Sequence, residues 1–259
     1  MTNHINYSVD AGVAQIQINR PEQRNALALT MIKQIAEAVE QASSTPDVRV
    51  IVLTGVGKVF SAGADLNEIP QAMVSPEAAK TFDTAFNIAS QAIKACPLPT
   101  IAKLQGHTVG GGLLLASSCD IRVTTANAKF AYPVTRIGLI LNREALKDLI
   151  NLIGLSRSKL FLFSGQRLTA QQAEMWGLVD WVFDDDVFDA EADRLILDIA
   201  AGAPLSIQAN KRMINEIWQQ GHVDETLADE SYDLIYNSTD LREGFQAARE
   251  KRTTNFQGQ

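Results

Sequence analysis

The chain holds only two cysteines, Cys96 and Cys119, so neither a disulfide framework nor a cysteine-rich zinc site can organise it. Two lone thiols point instead to a reducing compartment, and no cluster of ligand residues calls for a metal. No apolar run is long enough to span a bilayer, and the opening residues M-T-N-H-I-N-Y lack the basic and apolar regions of a signal peptide. These absences predict a cytoplasmic protein with no membrane partner. Basic excess is lacking as well: the net charge of −7 argues against general binding of nucleic acid or of an anionic membrane. A local cationic patch for a ligand phosphate is still compatible with that balance. Lys211-Arg212 and Lys251-Arg252 read equally well as such patches and as solvated helix cations.

What the chain does have is apolar bulk, 46% of 259 residues, enough for a large core in one domain with an appended helical segment. The alternation in V-A-Q-I-Q-I-N at 13–19 predicts a half-buried strand, and R-V-I-V-L-T at 49–54 and P-T-I-A-K-L at 99–104 read as buried strands. Ile32, Ile35, Ala36 and Val39 recur with helical spacing, and Ser75-Pro76-Glu77 marks a second helix start. From Leu146 onward the pattern is nearly all helical, punctuated by a solvated turn at Asp184-Asp185-Asp186 and by Gly202-Ala203-Pro204. Strand–helix alternation followed by helices predicts an α/β core over 1–200 and a helical C-terminal region over 201–259.

Two glycine-bearing stretches follow the buried strands: V-F-S-A-G-A-D-L at 59–66 and L-Q-G-H-T-V-G-G-G-L-L-L-A-S-S-C-D at 104–120. Either alone reads as a tight strand-to-helix turn. Together they look like two halves of an oxyanion hole. Glycine permits close approach of a ligand to the backbone, and a helix that starts on such a loop offers unpaired N–H groups at its positive end. The pairing predicts carbonyl chemistry.

These stretches, with I-N-R-P-E-Q-R-N-A-L at 18–27, C-D-I-R at 119–122, S-G-Q-R-L-T-A-Q-Q-A at 164–173, G-L-V-D at 177–180 and A-N-K-R-M-I-N at 209–215, resemble the crotonase (enoyl-CoA hydratase/isomerase) superfamily from end to end. The resemblance implies a spiral of ββα units with C-terminal helices that form a trimer interface, assembled as a trimer or a dimer of trimers. It implies an acyl-CoA thioester as substrate, with coenzyme A entering only as part of it and no other cofactor. It places the thioester oxygen on the backbone N–H groups of Ala64 and Gly111. Substrate-binding candidates that carry over are Arg24, Ala26, Ala62, Asp65, Leu66 and Gly110. Asp65 reads equally as a residue that closes its loop by hydrogen bonding to the backbone.

The resemblance breaks at the acid and base. Where hydratases carry two glutamates this chain has Leu114 and Val134, which can neither give nor accept a proton. Where other members carry an aspartate, the turn G-L-I-L-N-R-E has Asn142, able to hold a water or hydroxyl but not to act as base. Glu144 and Arg143 can project into the pocket, or Glu144 can simply complement the dipole of the helix it begins. Glu68 and His107 lie beside the motifs, with structural roles as their alternatives. Tyr132 sits next to the second vacated position, on a strand whose alternation points it away from Val134. Tyr232, Tyr236 and Phe245 can cover the acyl pocket or pack as ordinary helix apolars.

Leu114 and Val134 should leave a dry pocket suited to a bulky alicyclic or aromatic acyl group. The expected function is an acyl-CoA enzyme that stabilises an enolate-like intermediate, with proton transfer from Asn142-bound water, Glu144 or the substrate itself. Isomerase, lyase or C–C hydrolase chemistry is expected before simple hydration. The competing expectation is a non-catalytic acyl-CoA-binding protein of the same fold.

Overall fold

A computed structural model describes residues 4–68 and 74–259; the first three residues of the N-terminal stretch read above lie outside it. β1 (Ile5–Asp10) and β2 (Val13–Ile18) form an antiparallel hairpin whose turn residues, Ala11 and Gly12, both take positive φ, as a two-residue primed turn requires. β3 (Val50–Gly55), β4 (Thr100–Leu104), β6 (Ile121–Thr125) and β9 (Trp181–Phe183) then extend the sheet in parallel, in the order β1-β2-β3-β4-β6-β9. A second sheet pairs β5 (His107–Val109), β7 (Lys129–Ala131) and β8 (Leu168–Thr169). From β4 to β7 the strands alternate between the two sheets, and bridges at Leu27–Ala64 and Ser61–Thr108 bring the loops after β2 and β3 beside the second sheet. That alternation, with helices between, is the spiral of strand–strand–helix units expected from the motifs.

The wholly buried β3 shows why its sequence is a continuous apolar run. Ile51 and Leu53 join the large core with α1 (Leu29–Ser43) and α2 (Pro76–Ala95), while Val50 and Val52 face α7 (Phe188–Ala200) through Phe188, Ala192 and Ile196. Lys103 shares the α7 side of the sheet. Its ammonium lies 2.7 Å from Asp193 and 2.9 Å from Asp189, so α7 supplies the counter-charges that its burial demands. Between these elements run α3 (Gly111–Ser118), a 3-10 turn at Pro133–Ile137, α4 (Arg143–Ile153), α5 (Leu155–Ser164) and α6 (Ala170–Trp176).

The nearly all-helical reading after Leu146 needs correction. β9 adds an edge strand beside β6 and β8 joins the small sheet, but segments of two and three residues are too short to display a period of two. The strand that carries Tyr132 also ends earlier than expected, at Ala131, so Tyr132 and Val134 are separated by a change of backbone geometry and not by strand alternation.

α8 (Pro204–Gln220), α9 (Glu225–Asn237) and α10 (Thr239–Glu250) follow the sheet. They leave Ile214, Trp218, Tyr232, Tyr236 and Phe245 more than half exposed. Two of the proposed phosphate-patch cations are already engaged. Lys211 binds Asp120 at 2.6 Å and the Leu98 carbonyl at 2.8 Å, anchoring α8 to the core, and Arg252 pairs with Glu243 and Glu250. Both cysteines are buried and unbridged; burial pushes the Cys119 thiol up to about 12. No helix among the described residues is long and apolar enough to cross a membrane.

Candidate functional site

The site is framed by a buried asparagine. After the short 3-10 turn at Pro21–Gln23, Arg24 and Asn25 both take positive φ, a conformation asparagine tolerates better than most residues. Asn25 is fully buried: its Oδ1 accepts from the Arg20 N–H at 2.9 Å, and its Nδ2 donates to the carbonyls of Val56 at 3.0 Å and Val59 at 2.6 Å. Ser61 continues the lock, donating to the Asn25 carbonyl at 2.8 Å and accepting from the Gly63 N–H at 3.1 Å. The loop before α1 is thereby bolted to the loop after β3.

Asp65 closes the same structure from below. One carboxylate oxygen meets Arg20 at 2.6 Å and the other accepts from the Asn67 N–H at 2.9 Å, so both are engaged within the protein. The Asn67 N–H holds the carboxyl below its ordinary value against the penalty of burial, and Arg20 adds to the lowering. Glu68 accepts from the Leu29 N–H at 2.7 Å and so caps α1, whose own N-cap residue, Ala28, has no side chain able to do so.

The second loop docks on the first through its backbone. Ser61 N–H donates to the His107 carbonyl, Val109 N–H returns to Ser61 at 3.0 Å, and Gly110 N–H donates to Ala131 at 2.9 Å. A Cβ at Gly63 would fall 2.8 Å from the Val109 carbonyl and 3.4 Å from the Gly111 nitrogen, so the loops touch where only hydrogen fits. At Gly111 a Cβ would lie 2.3 Å from the Phe86 ring of α2, which lies against the start of α3.

This docking leaves several backbone donors over, among them two on facing parts of the two loops. Ala62, Gly63, Asp65 and Gly110 have their N–H groups engaged, whereas those of Ala64 and Gly111 meet no acceptor among the described residues. Gly111 is the first residue of α3, so its N–H is an orphan of the helix start at the positive end of the dipole. Ala26, Ala64, Gly110 and Gly111 are half-buried; Arg24, Ala62 and Leu66 are exposed.

The remaining candidates lie outside the two loops, on α3, the 3-10 turn, α4, β5 and the outer helices. Leu114 faces inward from α3 and is 6% exposed; Val134 is half-buried in the 3-10 turn against the large core. Asn142 is the N-cap of α4, its amide oxygen accepting from the Ala145 N–H at 2.9 Å. Glu144 is half-buried in the first turn of α4 and pairs with Arg143, which is almost fully exposed. His107 is exposed at the start of β5. Tyr132 is buried with its ring edge-on to Phe161, and Tyr232, Tyr236 and Phe245 stand on the outer helices. An apolar depression of about 530 Å³ on the outer face of α4 is lined by Ile140, Leu141, Leu146 and Ile150 with Arg143 and Lys147.

Sequence reasoning marked the start of α2 but missed its contact with the glycine loop. Phe82 and Phe86 form an i, i+4 aromatic pair with centroids 5.7 Å apart, and the buried Oδ1 of Asn87 has no hydrogen-bond partner among the described residues. The F-D-T-A-F-N segment shows the aromatic spacing, but nothing in it announces that Phe86 meets Gly111.

Comparison with known proteins bears on what such a site does. The family model described as enoyl-CoA hydratase/isomerase matches residues 8–259. A probable enoyl-CoA hydratase of Mycobacterium leprae is 35% identical over 252 residues, covering 95% of this chain and 96% of the relative. The mitochondrial Delta(3,5)-Delta(2,4)-dienoyl-CoA isomerase of Mus musculus is 33% identical, over 95% of this chain and 79% of its own length. Among solved structures, an enoyl-CoA hydratase/carnithine racemase from Magnetospirillum magneticum superposes with a TM-score of 0.96 at 34% identity, covering 100% of this chain and 97% of that one.

Proposed function

The chain belongs to the enoyl-CoA hydratase/isomerase family, and from that premise we propose that it is an enzyme of acyl-CoA thioesters whose Ala64 and Gly111 N–H groups hold the thioester oxygen as an enolate forms. The observation that supports this reading is the pair of unengaged donors on two loops in backbone contact. Preorganised donors stabilise charge that develops only in the transition state, and one such donor is worth about 10²–10³ in rate. Phe86, Leu114 and Val134 supply an apolar surround, which strengthens those hydrogen bonds by excluding water.

Simple hydration fits this surround poorly. Water addition needs carboxylates to place and deprotonate the water, and Leu114 and Val134 occupy their positions. Isomerase, lyase or C–C hydrolase chemistry on a bulky acyl group is the better match, with coenzyme A as part of the substrate and no further cofactor. We place the enzyme in the cytoplasm. We assign the exposed apolar face of α8–α10 to self-association as a trimer or a dimer of trimers.

The test is incubation in heavy water with a panel of saturated, unsaturated, alicyclic and aromatic acyl-CoA thioesters, read by mass spectrometry. Deuterium at the α carbon or a changed product mass is the expected result. Tight binding without exchange would instead make the protein a non-catalytic acyl-CoA carrier of the same fold.

A further inference from the structure

We propose that α9 of one protomer docks on α4 of the next, its Tyr232–Tyr236 ridge seated in the apolar depression and its aspartates against Arg143 and Lys147, so that copies join head to tail. The proposal rests on the self-association reading of the α8–α10 face above and names what that face meets.

The two helices carry one pattern with opposite charge. On α9, Asp229, Tyr232, Asp233 and Tyr236 stand at i, i+3, i+4 and i+7, the spacing of a single helix face, and all four are exposed. On α4, Arg143, Leu146, Lys147 and Ile150 repeat that spacing, with cations where α9 has aspartates and aliphatic groups where it has tyrosines. Arg143, Lys147 and Ile150 are exposed, and with Ile140, Leu141 and Leu146 they line the open depression of about 530 Å³. The tyrosine rings have their centroids 6.4 Å apart and form a raised ridge that such a hollow can take. Aromatic side chains seated in pockets commonly carry most of the energy of a protein interface.

The surroundings of both helices reinforce the match. In a chain of net charge −7, the segment 136–167 holds six cations, Arg136, Arg143, Lys147, Arg157, Lys159 and Arg167, against two carboxylates. Those two, Glu144 and Asp148, are largely buried and already paired. α9 holds four carboxylates and no cation, and Glu230 alone has a cation partner among the described residues, Arg212 at 4.0 Å. Each face is also apolar on its outside. α9 buries only Leu227 and Ser231 while exposing its tyrosines and Leu234, and Leu155, Leu160 and Phe163 of α5 extend the exposed apolar surface beside α4. An acidic partner of another kind would cover α4 and leave α9 open. A second copy covers both faces at once. Because the two faces differ, the contact is heterologous, and a ring closes when every copy uses each face once. Opposite charges fix the register, and like charges penalise α4 on α4 or α9 on α9.

Sedimentation equilibrium on the full chain tests this. The wild type is expected to form a closed oligomer whose dissociation constant rises with salt. Lys147→Asp and Asp233→Lys should each weaken assembly by about tenfold or more, and the two together on one chain should recover most of that loss, because the facing charges are then exchanged and not removed. Tyr232→Ala/Tyr236→Ala should weaken it by about 10²-fold. All four positions are exposed, so far-UV circular dichroism of each variant should match the wild type. Weakening by Asp233→Lys but not by Lys147→Asp, or no recovery in the combined variant, overturns the pairing of α9 with α4 and leaves self-association through α8–α10 standing. A monomeric wild type, or an oligomer indifferent to all of these changes, overturns that reading as well.

Discussion

The two walls of the site are made by different means. The wall of glycine loops is built almost wholly from backbone, with Asn25, Ser61 and Asp65 spending their polar atoms on main-chain groups and on Arg20. The side-chain set, from Leu114 through Val134 to α4, stands on two helices and a 3-10 turn. A backbone wall admits little variation, because the close approach at Gly63 and Gly111 excludes even a methyl group. A side-chain wall can be rewritten one residue at a time while the fold stays the same. This contrast separates the close-packed glycine loops from positions such as Leu114, Val134 and Asn142, where a side chain can change without moving the backbone.

The comparison can be broken most severely at Gly111. Gly111→Ala drives a Cβ against Phe86 and displaces the free N–H, so exchange into a bound thioester is expected to fall by about 10²–10³, measured by mass spectrometry in heavy water. Asn25→Ala should be nearly as costly for a different reason. It leaves the Arg20 N–H and two carbonyls without partners, and a loss of about 3 kcal/mol, seen as a melting temperature lower by about 10 °C in calorimetry, is expected.

Asp65→Asn sharpens the comparison through its pH dependence. Because the folded-state value is depressed, the stabilisation is complete above the ordinary carboxylate value of 3.8 and is lost as pH falls through the depressed one. The variant should be less stable by about 2 kcal/mol at neutral pH in urea unfolding, with the gap closing below about pH 4. Asn142→Ala is the mildest change and the test of the side-chain wall. Loss of the cap on α4 predicts about 1 kcal/mol of destabilisation with exchange nearly unchanged. A tenfold or larger loss of exchange would show instead that the amide acts on substrate.

Legibility from sequence follows the same division. The buried strands, α1 and the glycine loops were readable because burial on both faces of β3 leaves a continuous apolar run and because positive φ and close approach demand particular residues. β8 and β9 were not readable, since two or three residues carry no period. Phe86 and Lys94 looked like ordinary helix positions. Their neighbours, Gly111 and Asp148, are 25 and 54 residues further along the chain.

The sequence alone determined the family, the buried strands and glycine loops, and the absence of carboxylates at positions 114 and 134, because these are matters of residue type at a given place in the chain. Only the tertiary structure decided that Asp65 is consumed by Arg20 and Asn67, that Glu68 and Asn142 are occupied as helix caps, and that Lys211 is an anchor. A side chain's chemistry is set by its type, but its availability depends on which groups reach it through space. Partners such as Arg20, 45 residues before Asp65, and Asp120, 91 residues before Lys211, leave no trace in a local pattern.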